Sequence, residues 1–68
     1  METAIFEQIM ENIISSIRDA GYEPYDQLVG YLTSGNASYI TRHGNARHQI
    51  QELDVEQVRE FVHKRFHA

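Results

Sequence analysis

Residues 4–20 read AIFEQIMENIISSIRDA, and their spacing decides the fold class. Ile5, Ile9, Ile13 and Ile17 recur every four residues, and Phe6, Met10 and Ile14 form the adjacent stripe. Glu7, Glu11, Asn12, Ser15 and Arg18 fall largely on the other side. That pattern predicts an amphipathic helix with a wide apolar face. The face is broad enough to meet its own chain and a second copy together. Gly21 is the natural stop, since glycine tolerates the left-handed position after a helix.

Downstream the same logic yields three more helices. Pro24 disfavours helix at Glu23 but suits the first turn of a new one. Asp26 then sits near that helix's positive end, with Leu28, Val29, Tyr31 and Leu32 supplying the apolar face. Gly30 interrupts it, at a cost of about 1 kcal/mol relative to alanine. It is either a local weakness or the mark of a close helix crossing where a side chain would not fit. Residues 33–38, TSGNAS, are small and polar and predict a turn with Gly35 or Asn36 left-handed. Tyr39 and Ile40 return to the core as a short anchor, and 41–45 is irregular or a single turn. A third helix is expected from about Asn45 to Leu53, with Ala46, Ile50 and Leu53 inward. Asp54-Val55-Glu56-Gln57 reads as a capping box. It opens a fourth helix marked by Val55, Val58, Phe61, Val62 and Phe66, with a basic end at His63, Lys64, Arg65 and His67. The expectation is all-α, a compact bundle of about four short helices, with residues 1–68 as one domain.

Size constrains the assembly. A chain of 68 residues buries only roughly 60% of its unfolded surface. There is no cysteine to staple it or to hold a structural zinc of the usual thiolate kind. So thin a core calls for very good helix packing or a second subunit, and a homodimer is expected. Ile5, Ile9, Ile13 and Tyr31 are the candidates for its seam. The start of the chain has no basic cluster and no cleavage site after an apolar run, and no apolar run can span a membrane. Cytoplasm is the expected location.

The formal net charge is -4, which argues against nucleic acid as a partner, since phosphate contacts need surplus cations. Charge is also unevenly placed. The first 26 residues carry Arg18 against Glu2, Glu7, Glu11, Asp19, Glu23 and Asp26, while Arg42, Arg47, Arg59, Lys64 and Arg65 follow. An acidic front and a basic back could attract one another within a dimer, or be solvated faces.

No pattern of residues announces catalysis. Nucleophile-elbow, phosphate-loop and dinucleotide signatures are missing, and a non-enzymatic protein without cofactor is expected. His63 and His67 have a spacing able to chelate a metal, but two basic residues at a helix end are the better reading, so no metal is expected. Arg42, His43, Arg47 and His48 form the most concentrated positive patch. They could receive a phosphorylated or acidic segment, or be plain solvated surface. Tyr22, Tyr25, Tyr31 and Tyr39 suit either an interface or half-buried core positions.

The middle of the chain resembles the IreB family of small bacterial regulatory phosphoproteins. The resemblance runs from Gly21-Tyr22-Glu23-Pro24 through Gln27-Leu28-Val29-Gly30-Tyr31-Leu32 and Ser34-Gly35 to Tyr39-Ile40, Asn45-Ala46-Arg47 and Ile50. It implies an all-helical homodimer from a Gram-positive bacterium. It also implies a substrate of a membrane Ser/Thr kinase that senses the envelope, acting in cell-wall homeostasis with no enzymatic activity. Its regulatory protein partner is unknown. Several residues depart from the family pattern. Glu23 replaces asparagine, Asn36-Ala37 replaces aspartate-proline, Thr41 stands where proline is common, and Gln51 replaces a basic residue. Family members carry a longer N-terminal segment with the phosphorylated threonines. In this chain Thr3 is the phosphorylation candidate, with Thr33 and Thr41 as alternatives. A phosphate on Thr3 could dock on Arg42 and Arg47 of either subunit. The rival readings are a helix-turn-helix-like DNA-binding regulator using Arg42, Arg47, Arg59 or Arg65, and a structural adaptor without phosphorylation.

Overall fold

Four α-helices carry the chain: α1 (Thr3–Asp19), α2 (Pro24–Ser34), α3 (Ala46–Gln51) and α4 (Val55–Phe66). Single 3-10 turns at Ala37–Tyr39 and His43–Asn45 join α2 to α3. These come from a computed structural model that describes residues 2–66. Among the described residues there is no strand.

Helix α1 is the spine. It packs on α2, on α3 and on the turn before α3, while α4 packs on α2. The core is a single cluster built from Phe6, Met10, Ile13, Ile14 and Ile17 of α1, Leu28 and Tyr31 of α2, then Ile40, Ala46, Ile50, Leu53, Val58 and Val62. The radius of gyration is 10.6 Å, close to the roughly 11 Å expected of a folded domain of this length. One chain therefore closes its own core.

Helix α1 ends where glycine placed its stop. Gly21 has φ +89°, its N–H donates to the Arg18 carbonyl at 3.0 Å, and the Tyr22 N–H donates to the Ile17 carbonyl at 3.1 Å. These two bonds form a Schellman motif, which satisfies carbonyls that the helix would leave open. Helix α2 starts with Pro24 in its first turn and ends at Gly35, which takes the left-handed position. Helix α4 begins at Val55, directly after the capping residue read from the sequence.

Two sequence expectations are corrected, at Tyr39 and in the third helix. The stripe of isoleucines winds around α1. A four-residue step advances about 40° beyond a full turn, so Ile5 ends about 120° from Ile17. Ile17 is fully buried, Ile9 is half-buried and Ile5 is 51% exposed. Of the Tyr39-Ile40 anchor, only Ile40 enters the core, and Tyr39 stays exposed. The third helix is shorter than expected: left-handed Gly44 (φ +61°) and Asn45 (φ +67°) delay its start to Ala46, and it ends at Gln51, where the Glu52 and Leu53 N–H groups donate three residues back, to the Gln49 and Ile50 carbonyls. Leu53 is nevertheless buried just beyond its end.

Candidate functional site

The residues that carry the family resemblance are the ones that hold the connection between α2 and α3. Gln27 reaches from α2 so that its Oε1 accepts the Thr41 N–H at 2.9 Å. Gly30 leaves room for the Tyr39 ring, and a Cβ there would stand 2.6 Å from Tyr39 Cδ1. Arg47, in the first turn of α3, reaches back. Its Nε donates to the Ile40 carbonyl at 2.8 Å and its Nη2 to the Ser38 carbonyl at 3.2 Å. Asn36 Oδ1 accepts the Ser38 N–H at 2.9 Å, which shapes the first 3-10 turn. Of the two readings of Gly30, local weakness or close helix crossing, the close approach exists, but against an aromatic ring in the connection and not at a helix crossing.

This arrangement divides the positive patch read from the sequence. Arg42 and His43 are exposed. Arg47 is half-buried and turned inward onto two backbone carbonyls. His48 is exposed on α3 beside Glu52, with Nε2 and Oε2 3.7 Å apart. Of the candidates for a dimer seam, Ile13 and Tyr31 are buried within the chain itself. Ile5 keeps half its surface and Ile9 a part of it.

A groove of about 370 Å³ runs between α1 and α4, and the patch reading did not find it. Its apolar floor is Phe6 and Phe61, which meet edge to face with centroids 6.0 Å apart. Thr3 and Glu7 line it from α1; Glu60, Lys64 and Arg65 line it from α4. Thr3 is exposed in the first turn of α1. The hydroxyl nominated as phosphate acceptor therefore shares a groove with the basic end of α4. The signal existed in the sequence as the run His63-Lys64-Arg65, but nothing in the spacing shows that the last helix lies beside the first.

The cations of this groove are held by carboxylates. Arg65 makes two bonds to Glu11, from Nε to Oε2 at 3.2 Å and from Nη2 to Oε1 at 3.3 Å. The Glu11 carboxylate raises the Arg65 pKa above its ordinary value, first through the hydrogen bond and then through its charge. Lys64 Nζ lies 3.2 Å from Glu60 Oε1. The acidic front and basic back of the sequence thus meet within one chain. A second groove, of about 470 Å³, lies between α2 and α4 and is lined by Tyr25, Val29 and Leu32 against Val62 and Phe66, with the Tyr25 and Phe66 rings 5.5 Å apart.

The alternative phosphate acceptors differ in freedom. Thr41 is half-buried, and its Oγ1 accepts the His43 N–H at 3.2 Å. Thr33 is exposed in the last turn of α2. The possible His63–His67 pair has its second member outside the described residues. Among the described residues no three His, Asp or Glu side chains come together as a metal cluster. No helix among them is long and apolar enough to cross a membrane.

Of the residues that suggested a family, Gln27, Gly30, Tyr39, Ile40 and Arg47 thus meet at a single connection. The resemblance extends beyond them: the family model of the IreB regulatory phosphoprotein matches residues 1–67. The chain belongs to the IreB family of regulatory phosphoproteins.

Proposed function

We propose that this protein is a non-enzymatic cytoplasmic regulator, switched by a Ser/Thr kinase at Thr3 and acting through contacts with other proteins in cell-wall homeostasis. The observation that carries the reading is the position of Thr3. It is exposed at the mouth of a groove in a member of a phosphoprotein family. Thr41, by contrast, has its hydroxyl engaged in the connection. A membrane kinase that senses the envelope fits the family resemblance.

The working unit in this reading is a homodimer whose seam includes Ile5, with Ile9 beside it. Ile5 is an apolar side chain left half exposed on a helix that otherwise buries its large residues. The DNA-binding alternative draws less support. The formal net charge is -4, and Arg47 is turned inward onto carbonyls of the connection.

The test is intact-mass measurement and site mapping on the protein purified from its own host, with and without cell-wall stress. A stress-dependent phosphate on Thr3 supports the reading. An unmodified chain under both conditions sinks the switch and leaves an adaptor.

A further inference from the structure

We infer that a phosphate on Thr3 is read within the same chain by Lys64 and Arg65, which draws the start of α1 onto the end of α4 and closes the groove between them. This deepens the proposed function and rests on Thr3 as the acceptor. The modification replaces a hydroxyl hydrogen by a phosphoryl group. Thr3 Oγ1 attacks the terminal phosphorus of a nucleoside triphosphate held by the kinase, the bond to the leaving diphosphate breaks, and the hydroxyl proton passes to the kinase's base. The product carries about -1.5 to -2 charges and three strong acceptor oxygens.

Three observations carry the assignment. Thr3, Lys64 and Arg65 line one groove; Arg65 now reaches Glu11, about 12 Å further along α1 than Thr3, so the two long side chains must swing back along the groove to meet the new charge. Next, both cations have partners they can exchange. The Lys64–Glu60 pair has side chains 74% and 71% exposed, and the Arg65–Glu11 pair 42% and 52%. Pairs this exposed are weak, whereas phosphate is a stronger acceptor for a guanidinium fork than a solvated carboxylate is. Finally, α1 and α4 meet here through side chains, the Phe6–Phe61 contact and the Arg65–Glu11 bridge.

Glu7 and Glu60 border the same groove and oppose the phosphate. Lys64 leaving Glu60 bares that carboxylate, so the net gain rests on phosphate being the stronger acceptor. Arg42 and Arg47, the docking residues suggested by sequence, are not among the groove's lining, and Arg47 is turned onto the connection.

The deciding experiment is a phosphorus NMR titration of the full chain made by chemical synthesis with phosphothreonine at position 3. Its reference is a short phosphothreonine peptide of the same first residues. Docking lowers the second phosphate pKa by about half a unit or more relative to the peptide, since nearby cations favour the dianion. The double substitution K64Q/R65Q removes most of that lowering and leaves only what the positive end of α1 contributes. E11Q, which frees Arg65, lowers the value further; a general loosening of the fold would move E11Q and K64Q/R65Q the same way. A phosphate that titrates as in the peptide overturns the inference, and so does a lowering that K64Q/R65Q leaves unchanged. Because the phosphate is installed synthetically, this result is independent of whether the host's kinase uses Thr3, which site mapping decides.

Discussion

The ring of Tyr39 lies across Gly30, so close that a Cβ on Gly30 would come within 2.6 Å of Cδ1 and 3.1 Å of Cγ. Alanine at this position gains about 1 kcal/mol of helix propensity but must push the ring away. We expect Gly30→Ala alone to be destabilising by about 1 kcal/mol, the clash outweighing the propensity. In the Tyr39→Ala background the same change becomes stabilising. A double-mutant cycle by chemical denaturation measures the pair; equal effects of Gly30→Ala in both backgrounds would show that the ring is not the obstacle.

Arg47 acts through its planar fork. Its two donors reach carbonyls seven and nine residues back, a geometry a lysine ammonium cannot reproduce. Arg47→Lys keeps the charge and is expected to lose about 1–2 kcal/mol. Amide exchange should quicken between Ser38 and Asn45. A substitution silent in both measurements would return Arg47 to the surface patch.

Gly44 sits against Ser16, whose Cβ would be 2.8 Å from a Cβ on Gly44, with φ at +61°. Gly44→Ala meets both the left-handed penalty and the contact, together about 2–3 kcal/mol. Ser16→Ala removes only the hydroxyl and should not rescue it. Thermal melts of the two single variants and the double test this; full rescue would show that backbone strain contributes nothing.

In the proposed dimer, Ile5 and Ile13 separate assembly from folding. Ile13→Ala opens a cavity in the core and should cost about 2–5 kcal/mol. Ile5→Glu should leave the fold of the chain intact while weakening self-association, seen as a lower mass in sedimentation equilibrium. A variant with unchanged assembly would move the seam away from Ile5.

The Arg65–Glu11 bridge is exposed, so salt screens it. Arg65→Gln should lower the thermal midpoint slightly at low salt, and the difference should vanish near molar salt. A difference that persists at high salt would point to lost packing against Phe66, whose centroid lies 5.8 Å from the guanidinium carbon.

Helix boundaries were readable where local chemistry decides them. Gly21, Pro24, Gly35 and the Asp54–Gln57 signal mark ends that a short stretch of chain determines. The second left-handed residue, Asn45, was not readable, because it follows from Gly44 seating on Ser16 in another helix. Tyr39 was misplaced for a similar reason: an aromatic beside an isoleucine looks like core, yet its ring is drawn to a bare patch of helix at Gly30. Arg47 looked like surface because a charge in a polar run usually is, and only the fold reveals which carbonyls it serves. The groove was beyond reach altogether, since Thr3 and Arg65 come from opposite ends of the chain.

That last juxtaposition also imposes a schedule on biosynthesis. Glu11 and Arg65 are 54 residues apart in sequence, and chains emerge from the ribosome at about 5–20 residues per second. For several seconds at that rate, α1 exists without α4, with Phe6 lacking Phe61 and Thr3 lacking any cation beside it. A chain caught at that stage, or one clipped before Val55, displays an uncovered Phe6 edge for chaperones and proteases to recognise. A finished chain hides that edge, so completeness of synthesis is written on the same surface that borders the proposed phosphate acceptor.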